Sequence, residues 1–224
     1  HATLPDGAAA WLDAAIPGAM MAVFPNSGQV CFAGTRLFVQ RPIHDAVVEA
    51  ISAGSGQLTV GDGFDPTTQL GPLVSAEQFE RVQGYIEAGK TDGATLAAGG
   101  GRVGDKGYFV QPTVFAGADN TMRIAREEIF GPVVTVIPFD DESEVLALAN
   151  DTDFGLGAGV WTRDISRAHK VAASLRAGMV WVNTYGDMAS PIPFGGFKQS
   201  GIGREFGANA LDAYTEQKSV VIKL

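Results

Sequence analysis

The sequence predicts an α/β fold built on a largely parallel sheet flanked by helices. Two patterns lead to it. Between residues 133 and 183, short β-prone apolar runs alternate with helix-length stretches, so successive strands are joined by crossover helices. Along the whole chain the 29 glycines gather at turns between apolar runs, the punctuation of many short elements.

Taken in order, Pro5 and Asp6 open a helical stretch over residues 8–23, with a kink expected at Pro17, which lacks a backbone N–H. A turn follows at Pro25-Asn26-Ser27-Gly28. Residues 35–40 read as a strand and 43–53 as a helix. Residues 58–60 read as a short strand before a loop over 61–74. Ser75 begins a helix to about residue 88, with Glu77 and Gln78 in its first turn, where a carboxylate suits the helix dipole. Residues 99–107 are Gly-rich but lack the Lys-Ser/Thr of a P-loop and the spacing of a dinucleotide fingerprint, so they read as a surface turn. Residues 133–139 form a strand, and 142–150 a helix capped by Asp140 or Asp141. Residues 159–162 are a strand, 164–177 a helix ended by Gly178, and 179–183 a strand. The final run, 219–224, is apolar and β-prone; an edge strand of that kind tends to find a partner, often on another subunit. With no repeat, low-complexity segment or linker, residues 1–215 read as one domain and 216–224 as an oligomerisation strand.

At 224 residues the chain can bury one good core, or two small ones sharing a core. Its 46% hydrophobic and 18% charged residues are those of a soluble globular protein. A net charge of −9 argues against nucleic acid and against an anionic membrane surface, and otherwise reads as solubility. One cysteine allows no internal disulfide and fits a reducing, cytoplasmic setting. No apolar run approaches the roughly 20 residues of a membrane helix. The apolar segment at 8–24 is broken by Asp13, Pro17 and Gly18, and no cationic region precedes it, so it makes a poor signal peptide. The first residue is His1 rather than Met, and a piece of a longer polypeptide is expected.

The chemistry centres on Cys31. A single Cys is more often a small buried hydrophobe than a nucleophile. Here, however, Gly28-Gln29 precede it and Ala33-Gly34 follow it, in a turn between helix and strand, where small residues let a substrate and backbone N–H groups reach the sulfur. Because a thiol is mostly protonated at neutral pH, a catalytic role needs a base or a positive field from elsewhere in the fold. His44 at a helix start and His169 inside a helix have no metal-ligand spacing and read as structural or exposed; no metal site is expected.

Five segments then carry a resemblance. Phe24-Pro25-Asn26-Ser27-Gly28-Gln29-Val30-Cys31 is similar to the cysteine motif of the aldehyde dehydrogenase superfamily. Leu70-Gly71-Pro72-Leu73-Val74, Gly107-Tyr108-Phe109-Val110-Gln111-Pro112-Thr113-Val114, Glu127-Glu128-Ile129-Phe130-Gly131-Pro132-Val133 and Pro193-Phe194-Gly195-Gly196-Phe197-Lys198-Gln199-Ser200-Gly201 resemble its later markers in the same order. The resemblance covers almost the whole chain and implies the catalytic half of an NAD- or NADP-dependent enzyme. Cys31 would add to a small-molecule aldehyde to give a thiohemiacetal and then a thioester, with its own backbone N–H as one oxyanion donor.

The same resemblance makes Glu128 an acceptor for the nicotinamide ribose hydroxyls, with Phe130 beside the ribose, Gln78 a further ribose-side contact and Leu156 against the nicotinamide ring. Phe194 and Tyr185 would line the aldehyde tunnel, with Trp181 on the strand leading to it, favouring an apolar aliphatic or aryl aldehyde. A homo-oligomer, dimer or tetramer, is implied for the intact enzyme. The chain departs from the family at Phe32, where a smaller residue is usual and the space around the sulfur could narrow, and at Pro25, which would stiffen the turn. The family's oxyanion Asn, its Glu general base and its dinucleotide domain lie upstream of the cysteine motif and are not in this sequence, so no turnover is expected from this chain by itself. A scaffold domain that keeps the fold without the chemistry, and a thiol esterase acylated at Cys31, remain the alternatives.

Overall fold

A four-stranded sheet with apolar side chains on both faces organises the first two-thirds of the chain. The computed structural model describes residues 8–224; Pro5 and Asp6, expected to open the first helix, lie outside them. The elements are α1 (Ala8–Val23), β1 (Arg36–Gln40), α2 (His44–Ser55), α3 (Ala76–Thr91), β2 (Thr95–Ala98), β3 (Thr113–Ala116), α4 (Arg123–Arg126) and β4 (Val133–Phe139). They continue with α5 (Glu142–Asn150), β5 (Phe154–Gly155), β6 (Gly157–Val160), α6 (Ile165–Ser174), β7 (Met179–Val182) and β8 (Phe197–Lys198). Helix α1 runs through Pro17 without ending there.

The main sheet has the order β1-β4-β3-β2. β1 and β3 lie parallel to the central β4, with Arg36 opposite Thr135 and Thr113 opposite Val133. β2 adds an antiparallel edge. A central parallel strand is covered on both faces, and residues 133–137 are accordingly buried without a break. Val134 and Val136 join Val23, Phe24, Val47, Ile51 and Val114 in a core roofed by α1 and α2. Val133 and Ile137 join Val82, Ile86, Phe115 and Ile124 in a second core under α3.

The fold class is as the sequence predicts, but several elements differ. Strand 133–139 and the pair β6 and β7 do not share one sheet: β6 and β7 form their own parallel two-stranded sheet, linked by α6. β5 and β8 form a small antiparallel one. Residues 58–60 are not a strand; only Val60 makes a single bridge, to Leu70. The helix expected over 164–177 stops at Ser174, where Leu175 turns extended. Gly178 is therefore not its stop; a Cβ there would overlap the Gly195 carbonyl of the 193–201 loop. Residues 219–224 form no strand within the chain, and Val220, Val221, Ile222 and Leu224 are exposed there. Among the described residues no helix is long and apolar enough to cross a membrane.

The helix starts follow their caps. Ser75 Oγ accepts from the Gln78 N–H, Asp141 from Glu144 and Asp164 from Arg167. The first of these sets the start of α3 and the direction in which Gln78 leaves it. Ser75→Ala should lower stability by about 1 kcal/mol, read as a fall in the urea midpoint with an unchanged denaturant slope.

Candidate active site

The cysteine turn is held by three other loops. After α1, Asn26 and Ser27 take left-handed conformations (φ 52° and 54°) and Gly28 follows at φ 71°. Such dihedrals in non-glycine residues persist only where surroundings fix them. Ser27 Oγ donates to the Gly71 carbonyl (2.7 Å), Gln29 Nε2 to the Pro72 carbonyl (3.4 Å), and the Val74 N–H to Gln29 Oε1 (2.9 Å). Gly28 lies so close to the 131–132 backbone that a Cβ would overlap the Gly131 carbonyl oxygen. The Leu73 N–H donates to Tyr108 (2.9 Å) and the Thr113 N–H to Pro132 (2.8 Å). Four sequence motifs thus meet behind the sulfur.

Cys31 itself is exposed. It lines a cavity of about 430 Å³ together with Glu128, Phe130, Leu156 and Tyr185. Among the described residues no group accepts from its N–H and no His, Asp or Glu side chain hydrogen-bonds its sulfur. The amide is thus free to act as a donor. His169 is exposed, and His44 Nδ1 faces Asp45 while its buried Nε2 has no partner among the described residues. No cluster among those residues could hold a metal ion.

The two consecutive glutamates have different surroundings. Glu127 accepts from Arg123 Nε (3.0 Å) and Nη2 (3.2 Å) and from the Tyr85 hydroxyl (2.8 Å). Those bonds, Arg123's first, hold its carboxyl below the usual carboxylate range. Glu128 uses only its carbonyl, which accepts from Arg81 Nη2 (2.7 Å); among the described residues nothing donates to its carboxylate. Phe130 sits at φ 56°. The Gln78 amide donates to both the Ile129 and the Phe130 carbonyls, each at 2.9 Å. Gln78 does not line the cavity; it fixes the backbone that presents Glu128 and Phe130.

Phe194 does not line the cavity either. It meets the ring of Phe32 edge-on, at 6.0 Å and 77° between planes. Phe32 also packs on Trp181 (5.6 Å) and Tyr185 (6.5 Å). The large residue after Cys31 thus belongs to an aromatic cluster that lines part of the cavity. Burial pushes the Tyr185 phenol well above its ordinary value, so it stays a neutral donor.

With this geometry in view, comparison with known proteins is informative. The model of the aldehyde dehydrogenase family matches residues 8–220. The chain belongs to the aldehyde dehydrogenase family. It is 54% identical over 216 residues to a betaine aldehyde dehydrogenase from Mesorhizobium japonicum, covering 95% of this chain and 44% of that protein. It is 53% identical to an aldehyde dehydrogenase from Bacillus cereus solved with NAD+, with a TM-score of 0.92 over 93% of this chain and 43% of the other. It is 48% identical to an indole-3-acetaldehyde dehydrogenase from P. syringae solved with NAD+ and IAA, again at a TM-score of 0.92, over 95% of this chain and 43% of the other. The chain therefore spans less than half the length of these members of the family.

Two cations at the carbonyl end of α5 escaped the sequence reading. Arg36, on β1, donates to Asn120 Oδ1 (2.8 Å) and to the carbonyls of Leu148 (3.1 Å) and Ala149 (3.0 Å). Burial, then the Arg126 cation, lower it to about 10, with Asp151 opposing. Lys198 Nζ donates to the carbonyls of Asn150 (2.7 Å) and Thr152 (3.0 Å). Together they satisfy the open carbonyl end of α5, where cations suit the dipole. An Arg at the head of the apolar run Leu37-Phe38-Val39 was the signal that could have flagged Arg36. At residue 28 a positive φ and a close backbone approach both exclude a side chain. Gly28→Ala should destabilise the fold by about 2 to 3 kcal/mol, read by denaturant unfolding.

Proposed function

We propose that this chain carries the nucleophile and the nicotinamide-side contacts of an NAD(P)-dependent aldehyde dehydrogenase, oxidising an aldehyde to a carboxylic acid. The observation that supports the reading is the shared cavity: Cys31, with an exposed thiol, and Glu128, whose carboxylate has no partner among the described residues, both line it. The residues fit the cofactor's chemistry. A carboxylate offers acceptors only and matches a vicinal diol, and Phe130 supplies an apolar face beside it.

In this reading the Cys31 sulfur adds to the aldehyde carbon, and the carbonyl oxygen becomes an oxyanion. The Cys31 N–H stabilises that charge where it develops. Glu128 and Phe130 would hold NAD(P)+ at its ribose, where it would supply the acceptor for the hydride leaving the same carbon, and a thioester to Cys31 would remain. Water hydrolyses the thioester, releasing the acid and restoring the thiol. The general base, a second oxyanion donor and the dinucleotide domain are assigned to polypeptide outside this chain. β1 and β6 each pair on one side only, and both border the cavity, so their free backbone groups are open to such a segment. Leu156 borders the cavity as a contact for the nicotinamide, and Gln78 acts through the 129–130 backbone. The aldehyde lies against the rings of Phe32 and Tyr185, with Phe194 packed behind Phe32, which suits an apolar or aryl chain, or a quaternary ammonium group held on ring faces. Betaine aldehyde and indole-3-acetaldehyde, named for relatives, are the first substrates to try.

Residues 1–215 form the catalytic domain in this proposal, and 216–224 a strand that pairs in a homo-oligomer. A reducing, cytoplasmic setting suits the single free thiol.

In the complete polypeptide, aldehyde-dependent NADH formation should fall at least about 1,000-fold in Cys31→Ser; wild-type-like turnover in that variant would remove the proposal. Glu128→Gln should raise the KM for NAD+ about tenfold, the loss of roughly 1.4 kcal/mol of charge-assisted hydrogen bonding, with aldehyde KM little changed. The 224-residue chain alone should give no NADH.

A further inference from the structure

We propose that Tyr185 is a positioning residue for the nucleophile, fixing the turn that carries Cys31 rather than offering its hydroxyl to substrate. The proposal rests on Cys31 being the attacking group. The Tyr185 hydroxyl donates to the Phe32 carbonyl at 2.6 Å, across 153 residues of chain. That carbonyl belongs to the Phe32–Ala33 peptide, in the turn that carries the cysteine. In the same turn the Ala33 N–H donates to the Val30 carbonyl (3.0 Å), the Gly34 N–H to Ala22 (2.8 Å) and the Thr35 N–H to Ala33 (3.0 Å). Tyr185 is therefore the side chain that ties the outer part of the turn to the second half of the fold.

The ring is held as firmly as the hydroxyl. It stacks on Trp181 with centroids 4.7 Å apart, and Trp181 is itself fixed by its Nε1–H donating to the Asp187 carbonyl (2.8 Å). Three glycines make room for it. A Cβ at Gly159 would come within 2.8 Å of the Tyr185 ring, one at Gly34 within 3.3 Å, and one at Gly157 within 3.3 Å of the hydroxyl and 3.0 Å of Phe32 Cβ. A phenol so enclosed, with its proton committed to a backbone carbonyl, has no freedom to rotate toward a ligand. Its function is geometric: it holds the Phe32–Ala33 peptide, whose N–H closes back on the Val30 carbonyl, and so braces the turn in which the Cys31 N–H sits.

Tyr185→Phe keeps the ring and removes the hydroxyl. Gly157→Ala keeps the hydroxyl and displaces it. Amide hydrogen exchange on the 224-residue chain should show at least tenfold faster exchange at Ala33 and Gly34 in both variants, with Val134 and Val136 in the sheet core unchanged. In the complete polypeptide, Tyr185→Phe should lower kcat about tenfold with less than a twofold change in aldehyde KM. Unchanged exchange at Ala33 and Gly34 in folded Tyr185→Phe, or a raised aldehyde KM at unchanged kcat, overturns the proposal; the latter would make Tyr185 a substrate contact. The Cys31→Ser assay judges the nucleophile separately, because the exchange measurement needs no turnover.

Discussion

The contact between the backbones of Gly28 and Gly131 is the constraint on which the site depends. Two loops more than a hundred residues apart in sequence meet there with no side chain between them, and each carries a cavity-lining residue one to three positions away. The first loop presents a thiol, the second a carboxylate and a phenyl ring. Were either loop to shift by the thickness of a methyl group, the distance between Cys31 and the pair Glu128 and Phe130 would change with it. The left-handed Asn26, Ser27 and Phe130 are the local cost of that approach, a few kcal/mol of strain that the hydrogen bonds from Ser27, Gln29 and Gln78 offset.

The second half of the fold locks onto the first through cations and aromatics. Arg36 and Lys198 reach the carbonyl end of α5 from opposite sides, one from β1 and one from the 193–201 loop. The aromatic cluster joins Phe32 to Trp181, Tyr185 and Phe194. Since β6 and β7 do not pair with the main sheet, these links carry the coupling that a continuous sheet would otherwise provide.

Much of this was legible in the sequence. The N-cap of α3 could be read from Ser75 because capping is local. The crossover order near the end of the chain could be read from alternating periods. Cys31 and Glu128 could be singled out because their neighbours, not their own chemistry, resembled a known pattern. What failed to show was non-local. β2 and β3 have four residues each and too little periodicity to register, and β3 owes its place to the register with β4. The separation of β6 and β7 into their own sheet depends on edges that no window of sequence contains. The partners of Gln78 lie 51 and 52 residues away and are backbone carbonyls, so no window of sequence around Gln78 could name them.

The single thiol of this chain has a practical consequence. Because the chain contains one cysteine and that cysteine is exposed, a maleimide fluorophore or a nitroxide attaches at a single atom without any engineering. Such a reporter would sit at the mouth of the cavity, where its emission colour or its tumbling could follow the arrival of other segments of polypeptide.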